Sequence, residues 1–220
     1  MQYKEMIEFL QNTPSSDVCD AMRRLGLSGY TKGIYRLQHD SDKTMVGTAL
    51  TVQYIEKQAG LKPPCGQFAF ARMAEEGQIL VIDAKGTRCW LTGGNVCRVA
   101  ELQGAAGVVV DGCIRDADEI AAHDMPVYCK GTGCKPYSEE LQLAAVNVPV
   151  DIDGCRVNPG DILVGDRDGI CVFPADKLAD VVYQAEEIKE IEIELAAAVE
   201  AKASLEELNR IASRKPVLRK

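Results

Sequence analysis

The sequence has 220 residues, of which 46% are hydrophobic and 26% are charged, which is the composition of a globular chain and excludes global disorder. Its formal net charge of -8 repels phosphate backbones, so no nucleic-acid partner is expected. No stretch is long and apolar enough to cross a membrane, and residues 1–10 lack the apolar run of a signal peptide. We therefore expect a cytoplasmic protein without a membrane partner.

Nine cysteines are spread along the chain, and none forms a Cys-x-x-Cys pair. Cys129 and Cys134 are the nearest pair, and no second pair stands at zinc-binding spacing. We expect reduced, mostly buried thiols with structural roles rather than a disulfide scaffold.

Apolar spacing and turn residues predict alternating helices and strands in the first part of the chain. The segment from Thr13 to Asp17 is typical of a helix start, with a hydroxyl cap and then an acid, and Gly26 is typical of a helix end. The predicted segments are helices at 4–11 and 17–25, a strand at 44–56, a loop at 62–66, a helix at 68–76 and a strand at 78–83.

A glycine loop at 90–95 opens the central part of the chain. Asn95 is a candidate cap for the helix that follows the loop, and Gly104 is suited to ending that helix. The predicted segments are a helix at 96–103, an apolar strand at 106–110, a helix at 117–122, a strand at 126–130 and several short strands between 146 and 173.

One long helix is predicted at 175–203, within a C-terminal helical segment that spans 175–212. One face of this helix is acidic and the other carries an apolar stripe. A terminal helix of this length often packs on a neighbouring subunit, so a homo-oligomer is expected. The basic residues after it are expected to form a solvated tail. The stripe consists of Leu178, Val181, Val182, Ala185, Ile188 and Ile191, and the basic residues are Arg214, Lys215, Arg219 and Lys220. With no repeat or linker, the pattern predicts a single α/β domain over residues 1–220.

Two neighbouring segments have the features of an anion site. Gly93 and Gly94 precede a predicted helix, whose free amides and positive dipole end attract carboxylates and phosphates. Arg115 and Asp116 directly follow an apolar strand, and ligands gather at the carboxyl ends of strands in open α/β sheets. Arg115 is suited to a bidentate grip on a carboxylate, and Asp116 to Mg²⁺ or Mn²⁺. Each feature alone also has a plain explanation, as a tight turn or as a surface ion pair.

Taken together, GGNVCRVAELQGAAGVVVDGCIRDADEI at 93–120 resembles the core motif of the RraA-like family, which includes the class II 4-hydroxy-4-methyl-2-oxoglutarate aldolases and the RNase E regulator proteins. SSDVCDAMRRLG at 15–26, VGTALTV at 46–52 and VNPGDILVGDRDGICVFP at 157–174 extend the resemblance over nearly the whole chain. The resemblance implies a swivelling α/β/β/α fold and assembly as homotrimers or as homohexamers.

The resemblance also implies roles for individual residues. Arg115 would bind the pyruvyl group of a substrate, Asp116 would bind the metal, and the amides of Gly93, Gly94, Asn95 and Val96 would hold a carboxylate. Glu119 matches the acid that ends the aldolase motif. The regulator branch typically lacks the aspartate after the arginine, so Asp116 favours an enzyme.

One position departs from the aldolase pattern. Gly94 stands 21 residues before Arg115, where the aldolases carry an acid that works in proton transfer. Asp83 and Asp111, at or near strand ends, are local candidates for a replacement, although strand-end aspartates more often stabilise turns.

Two further residues are weaker candidates for the site. Glu190 is the best match to an acid that the family draws from the C-terminal helix of a neighbouring subunit. Arg88 is a candidate for binding a second acidic group and equally an exposed loop charge.

The leading hypothesis is a divalent-metal-dependent lyase on a small 2-oxo acid. Retro-aldol cleavage of a 4-hydroxy-2-oxo acid and decarboxylation of oxaloacetate both pass through the enolate of pyruvate, which a hard cation stabilises. The alternatives are a non-enzymatic regulator or binding protein, which Gly94 favours, and a family enzyme of different chemistry on a hydroxy acid.

Overall fold

The structure is a computed structural model that describes residues 1–38 and 44–219. Its helices are α1 (Tyr3–Gln11), α2 (Ser15–Arg24), α3 (Gln67–Ala71), α4 (Gly94–Leu102), α5 (Ala117–Ala121), α6 (Leu178–Glu200) and α7 (Leu205–Ala212). Its strands are β1 (Tyr35–Arg36), β2 (Met45–Glu56), β3 (Gln78–Thr92), β4 (Gly107–Ile114), β5 (Val127–Cys129), β6 (Gly131–Thr132), β7 (Leu141–Val146), β8 (Val150–Ile152), β9 (Cys155–Val157), β10 (Ile162–Gly165) and β11 (Ile170–Phe173).

Nine strands form one mixed sheet in the order β1-β5-β4-β3-β2-β10-β11, with β6 beside β4 and β7 beside β2. The centre, from β2 to β5, is parallel, whereas β1, β7, β10 and β11 pair in the antiparallel sense. Strands β8 and β9 form a separate hairpin. The parallel centre brings the carboxyl ends of β3 and β4 to one edge of the sheet.

The sheet is curled, and alternate residues of each strand face different cores. Val81 and Val109 belong to an inner cluster that also contains Leu163 of β10. Tyr128 of β5 reaches within 3.2 Å of where a Cβ on Gly165 of β10 would lie. These two strands stand four places apart in the sheet order. In a flat sheet they would be separated by about 19 Å. The two ends of the sheet therefore curl around one interior.

Helices cover the outer face of this curled sheet in two layers. Helices α3, α4 and α5 pack over the parallel centre, and α1, α2 and α6 pack over β10 and β11. The arrangement is the α/β/β/α type that the family resemblance implies. The apolar stripe of α6 is confirmed, because all six of its predicted residues are buried.

Several predicted element boundaries are wrong. Helix α3 covers only Gln67–Ala71, and β3 continues to Thr92, through most of the predicted glycine loop. No hydroxyl caps α2: its N-cap is Pro14. The Asp166 carboxylate instead accepts hydrogen bonds from the Ser15 amide and hydroxyl, both at 2.7 Å. Asp166 is remote in sequence, so local pattern carries no signal for this contact.

The C-terminal segment is also more ordered than predicted. A short 3-10 helix at Ala175–Lys177 precedes α6, and α7 follows it as a separate helix. The residues after α7 fold back onto α6 rather than forming a solvated tail, with Lys215 paired to Glu192 and Arg219 to Glu186. Lys220 lies outside the described residues. No helix in the described part of the chain is long and apolar enough to span a membrane.

Candidate functional site

The carboxyl ends of β3 and β4 bring the two predicted site segments together. Thr92 pairs with Ile114 at the last register position of the two strands, and the Arg115 amide donates to the Thr92 carbonyl at 3.0 Å. The Gly93-Gly94 pair and the Arg115-Asp116 pair therefore leave neighbouring strand ends side by side.

The first turn of α4 presents amides toward this edge. Gly93 is its N-cap, so Asn95 lies within the helix and the predicted asparagine cap is wrong. The Val96 amide donates to the Gly93 carbonyl at 3.1 Å, and the Gly94 amide donates to Asp116. The Gly93 and Asn95 amides have no acceptor within the described residues. Two of the four predicted amides thus remain free for an anion.

Asp116 is held by both segments. Its backbone is left-handed, with φ 58° and ψ 40°, at the N-cap of α5. The Asp116 Oδ2 accepts from the Gly94 amide at 3.1 Å and lies 3.4 Å from the Arg115 Nε. A Cβ on Gly93 would lie 2.4 Å from this Oδ2, so only glycine allows the approach.

A small cavity of about 270 Å³ opens beside these residues. The Arg115 guanidinium lies over the Trp90 ring, 4.2 Å from its centroid, and Tyr137 packs edge-on against Trp90. Its lining comprises Gln67, Phe68, Trp90, Gly93, Asn95, Val96, Arg115, Asp116 and Tyr137. The cavity therefore combines one guanidinium, one carboxylate and an aromatic wall, in a volume suited to a small acid.

Sequence reasoning placed Trp90 in the glycine loop without a role at the site, and it missed three further lining residues, Gln67, Phe68 and Tyr137. The Gln67 amide nitrogen donates to the Leu91 carbonyl and to the Tyr54 hydroxyl, which fixes α3 against the end of β3. Burial raises the pKa of Tyr54, so this hydroxyl stays protonated. These residues belong to no local motif, since they reach the site from separate elements.

Glu119 approaches the site from α5. A Cβ on Gly94 would lie 2.4 Å from the Glu119 Cδ and 2.5 and 2.6 Å from its two carboxylate oxygens. The carboxylate therefore occupies the space that a side chain at position 94 would need.

Asp83 and Asp111 are not brought to this cavity. Both are buried, and each pairs with a lysine: Asp83 with Lys85 at 2.6 Å, and Asp111 with Lys130 at 2.7 Å. Lys130 also lies 2.9 Å from Asp153. Burial lowers the pKa of Lys130, but its hydrogen bonds to the two carboxylates outweigh that and raise the pKa.

The two weaker candidates lie elsewhere in this chain. Arg88 is exposed on β3 and does not line the cavity. Glu190 is exposed on α6, whose helical layer covers β10 and β11. A role for Glu190 in a neighbouring subunit's site stays a prediction.

Among the residues that line the cavity, Asp116 carries the one carboxylate that could bind a divalent metal. Among residues 1–38 and 44–219, no three histidine, cysteine, aspartate or glutamate side chains stand together to hold an ion. A closed zinc-type site is therefore unsuited to these residues. A half-exposed carboxylate beside a small polar cavity fits Mg²⁺ or Mn²⁺, which keep waters and share their coordination with substrate.

The fold and this site define a class: an α/β/β/α protein with an arginine-aspartate pair at the end of β4, beside a helix that begins at the end of β3 with free amides. The profile of the RraA-like family (Aldolase/RraA) matches residues 15–172, and the chain belongs to that family.

Named relatives agree with this assignment. A protein of Halalkalibacterium halodurans named "Putative 4-hydroxy-4-methyl-2-oxoglutarate aldolase" is 34% identical over 185 residues, covering 82% of each chain. An uncharacterised protein of Pseudomonas syringae pv. tomato superposes with a TM-score of 0.81 at 26% identity, covering 94% of this chain and 97% of that one. Streptomyces coelicolor RraAS2, described as an unusual member of the RNase ES inhibitor RraA family, superposes with a TM-score of 0.78 at 29% identity, over 87% of this chain and 95% of its own. The relative named as a putative aldolase supports an aldolase-type lyase, and the two solved structures support the fold.

Proposed function

We propose that the protein is a divalent-metal-dependent carbon–carbon lyase acting on a small 2-oxo acid. One observation carries the proposal: Arg115, Asp116, Gly93 and Asn95 all line one cavity of about 270 Å³, and the amides of Gly93 and Asn95 have no acceptor among the described residues. Four such groups in so small a space are complementary to a compact anion with a keto oxygen.

The chain's own residues account for binding and orientation. Arg115 offers parallel N–H groups to the carboxylate and keto oxygen of the substrate. The free amides at the start of α4 add a second set of donors. Trp90 and Tyr137 exclude water from one side of the cavity, which strengthens these electrostatic contacts. The electrons released by bond cleavage move toward the keto oxygen, where Arg115 stabilises the charge.

Asp116 would hold Mg²⁺ or Mn²⁺ at the edge of the same cavity. A bound ion would supply positive charge that stabilises negative charge developing on the substrate during bond cleavage. The relative named as an aldolase supports retro-aldol cleavage of a 4-hydroxy-2-oxo acid. Decarboxylation of oxaloacetate gives the same pyruvate enolate and needs no initial removal of a hydroxyl proton.

The test measures pyruvate release from 4-hydroxy-4-methyl-2-oxoglutarate and from oxaloacetate, with Mg²⁺, Mn²⁺ or EDTA. We expect metal-dependent turnover by the wild type and its loss in Asp116→Ala, because the mutant keeps Arg115 but lacks the carboxylate. Asp118→Ala is the matched control, since Asp118 is an exposed acid on the same helix. Turnover that survives in Asp116→Ala or in EDTA would contradict the metal assignment.

A non-enzymatic regulator is the second candidate, favoured by the likeness to RraAS2 and by the glycine at position 94. An intact, folded wild type that releases no pyruvate from either compound with either metal would favour this candidate, or different chemistry on a hydroxy acid.

We also propose a homo-oligomer, a trimer or hexamer, in which the C-terminal segment contacts a neighbouring subunit. The buried stripe of α6 is used within the chain, yet Ile193, Val199 and Leu205 remain exposed by 65%, 54% and 74%. Light scattering coupled to size-exclusion chromatography should give a mass of three or six chains. A monomer at micromolar concentration would contradict this proposal.

A further inference from the structure

The Glu119 carboxylate lies against Gly94 with all three of its terminal atoms within 2.6 Å of the place where a Cβ would stand. Its side chain forms no hydrogen bond or ion pair with any residue that the structure describes. Asp116, three residues earlier on the same turn, borders the cavity. An unpaired, exposed carboxylate thus stands beside the first turn of α4. Glu119 does not itself line the cavity, but it adjoins Gly94, which lies between the lining residues Gly93 and Asn95.

Four other acids, on β3, β4, α4 and at the N-cap of α5, are engaged, whereas Asp118 is exposed on α5. Asp116 is bonded to the Gly94 amide and paired with Arg115. Glu101, on α4, lies 2.5 Å from the Arg98 guanidinium, and its pKa is held low by that pair despite partial burial. Asp83 and Asp111 each pair with a lysine. A proton acceptor needs a free carboxylate oxygen, and Glu119, unlike the four engaged acids, has both oxygens free.

We propose that Glu119 is the proton-transfer residue of the site, and that glycine at position 94 exists to admit its carboxylate. The inference rests on the proposed lyase function. The Glu119 carboxylate takes the proton of the C4 hydroxyl, the C3–C4 bond breaks, and the C4 carbinol becomes a ketone. The bonding pair passes to C3 as the enolate of pyruvate. The protonated Glu119 then returns the proton to C3, so that atoms and electrons balance without a further reactant.

The geometry also makes positions 94 and 119 alternatives for one carboxylate. An acid at position 94 forces the Glu119 carboxylate, which is the far end of a flexible side chain, to leave its place beside α4. With a small residue at position 119, an acid at position 94 can occupy the space that the Glu119 carboxylate fills. Asp is compatible with position 94, because it is the first residue of α4 and acids are favoured at helix starts.

The experiment compares wild type, Glu119→Gln, Asp118→Asn, Gly94→Asp and the double variant Gly94→Asp/Glu119→Gly. Each is assayed for retro-aldol cleavage of 4-hydroxy-4-methyl-2-oxoglutarate, for oxaloacetate decarboxylation, and for exchange of the pyruvate methyl protons in D₂O by NMR. The three reactions share the binding residues, but only the first and third begin with proton removal by the protein.

We expect Glu119→Gln to lower both kcat for retro-aldol cleavage and the rate of methyl-proton exchange by about 100-fold or more. The rate of oxaloacetate decarboxylation should stay within about tenfold of the wild-type rate. A loss of positioning or of folding would instead lower all three. Asp118→Asn should behave as wild type. Gly94→Asp should be impaired, and the double variant should cleave at least about tenfold faster than Glu119→Gln, since it carries the acid from the other side.

If the wild type is active, two results would overturn the role of Glu119 and leave the proposed lyase function standing. One is retro-aldol cleavage by Glu119→Gln within a few-fold of wild type, and the other is an equal loss in all three reactions. A wild type inactive in all three would overturn the proposed function and the inference together.

Discussion

Gly93 lies where any side chain would displace the two most important groups of the site. A Cβ there would stand 2.4 Å from the Asp116 Oδ2 and 3.0 Å from both Cγ and Nε of Arg115. The backbone φ of Gly93 is -150°, which any residue adopts, so the requirement for glycine is one of space and not of conformation. The residue therefore keeps Arg115 and Asp116 in register at the cavity.

We predict that Gly93→Ala lowers kcat/KM for pyruvate release by about 100-fold, because a displacement of about 1 Å in positioning groups has that effect. The melting temperature should change little, since both displaced side chains are partly exposed. Gly66→Ala is the control: Gly66 caps α3 with open space around it. Equal kinetics in both variants would show that Gly93 does not set the geometry of the site.

One buried arginine, Arg24 of α2, adds a polar link between α2, α6 and the chain that follows α7. Its side chain is 0% exposed and lies 2.8 Å from the Glu187 carboxylate of α6. It also donates to the carbonyls of Lys215 at 2.6 Å and Arg214 at 3.0 Å. One guanidinium therefore ties together α2, α6 and the chain that follows α7, which explains why the basic terminus is ordered.

Replacing Arg24 by methionine should reduce the free energy of unfolding by about 3 kcal/mol, because buried carbonyls and Glu187 lose their donor. Urea denaturation followed by circular dichroism measures this change. Arg23→Met is the matched control, since Arg23 is 71% exposed and its pair with Asp20 contributes about 0–1 kcal/mol. If the two variants lose similar stability, the buried contact does not hold the C-terminal segment.

At the scale of the whole molecule, a charge network closes the curled sheet on its inner side. Asp153, in the β8–β9 turn, lies 2.9 Å from Lys130 and accepts from the Lys32 and Gly33 amides, both at 2.5 Å. Burial opposes the ionised form, but these hydrogen bonds outweigh it and hold the pKa of Asp153 below its usual value. Since Lys130 also pairs with Asp111 of β4, the network joins the hairpin to the sheet.

The lowered pKa predicts a pH-dependent contribution to stability. When the pKa of a carboxyl is lower in the folded state, its ionised form stabilises the fold. This stabilisation is fully present above the pKa of the unfolded state, near 3.9, and is lost as the pH falls through the pKa of the folded state. Asp153→Asn should therefore cost about 2 kcal/mol at pH 7 and progressively less below about pH 4. Urea denaturation at a series of pH values from 7 to 3 measures this loss of stability. Asp151→Asn is the control, because Asp151 lies in the same hairpin and its side chain is 61% exposed. A deficit independent of pH would contradict the assignment.

The family resemblance supplied the α/β/β/α arrangement. Local pattern was sufficient for a mixed α/β domain, the burial of the α6 stripe and the meeting of Gly93 and Arg115 at one sheet edge. Each follows from spacing along the chain, because period sets which face is buried and parallel strands end at a common edge. Contacts between distant segments carried no such signal. Three such contacts depend on which faces meet once the sheet curls. They are the contact of Asp166 with the start of α2, the position of Tyr137 in the cavity wall, and the position of Glu119 beside Gly94. Asn95 shows the same limit at short range: its side chain suits a cap, yet the end of β3 places Gly93 at that position instead.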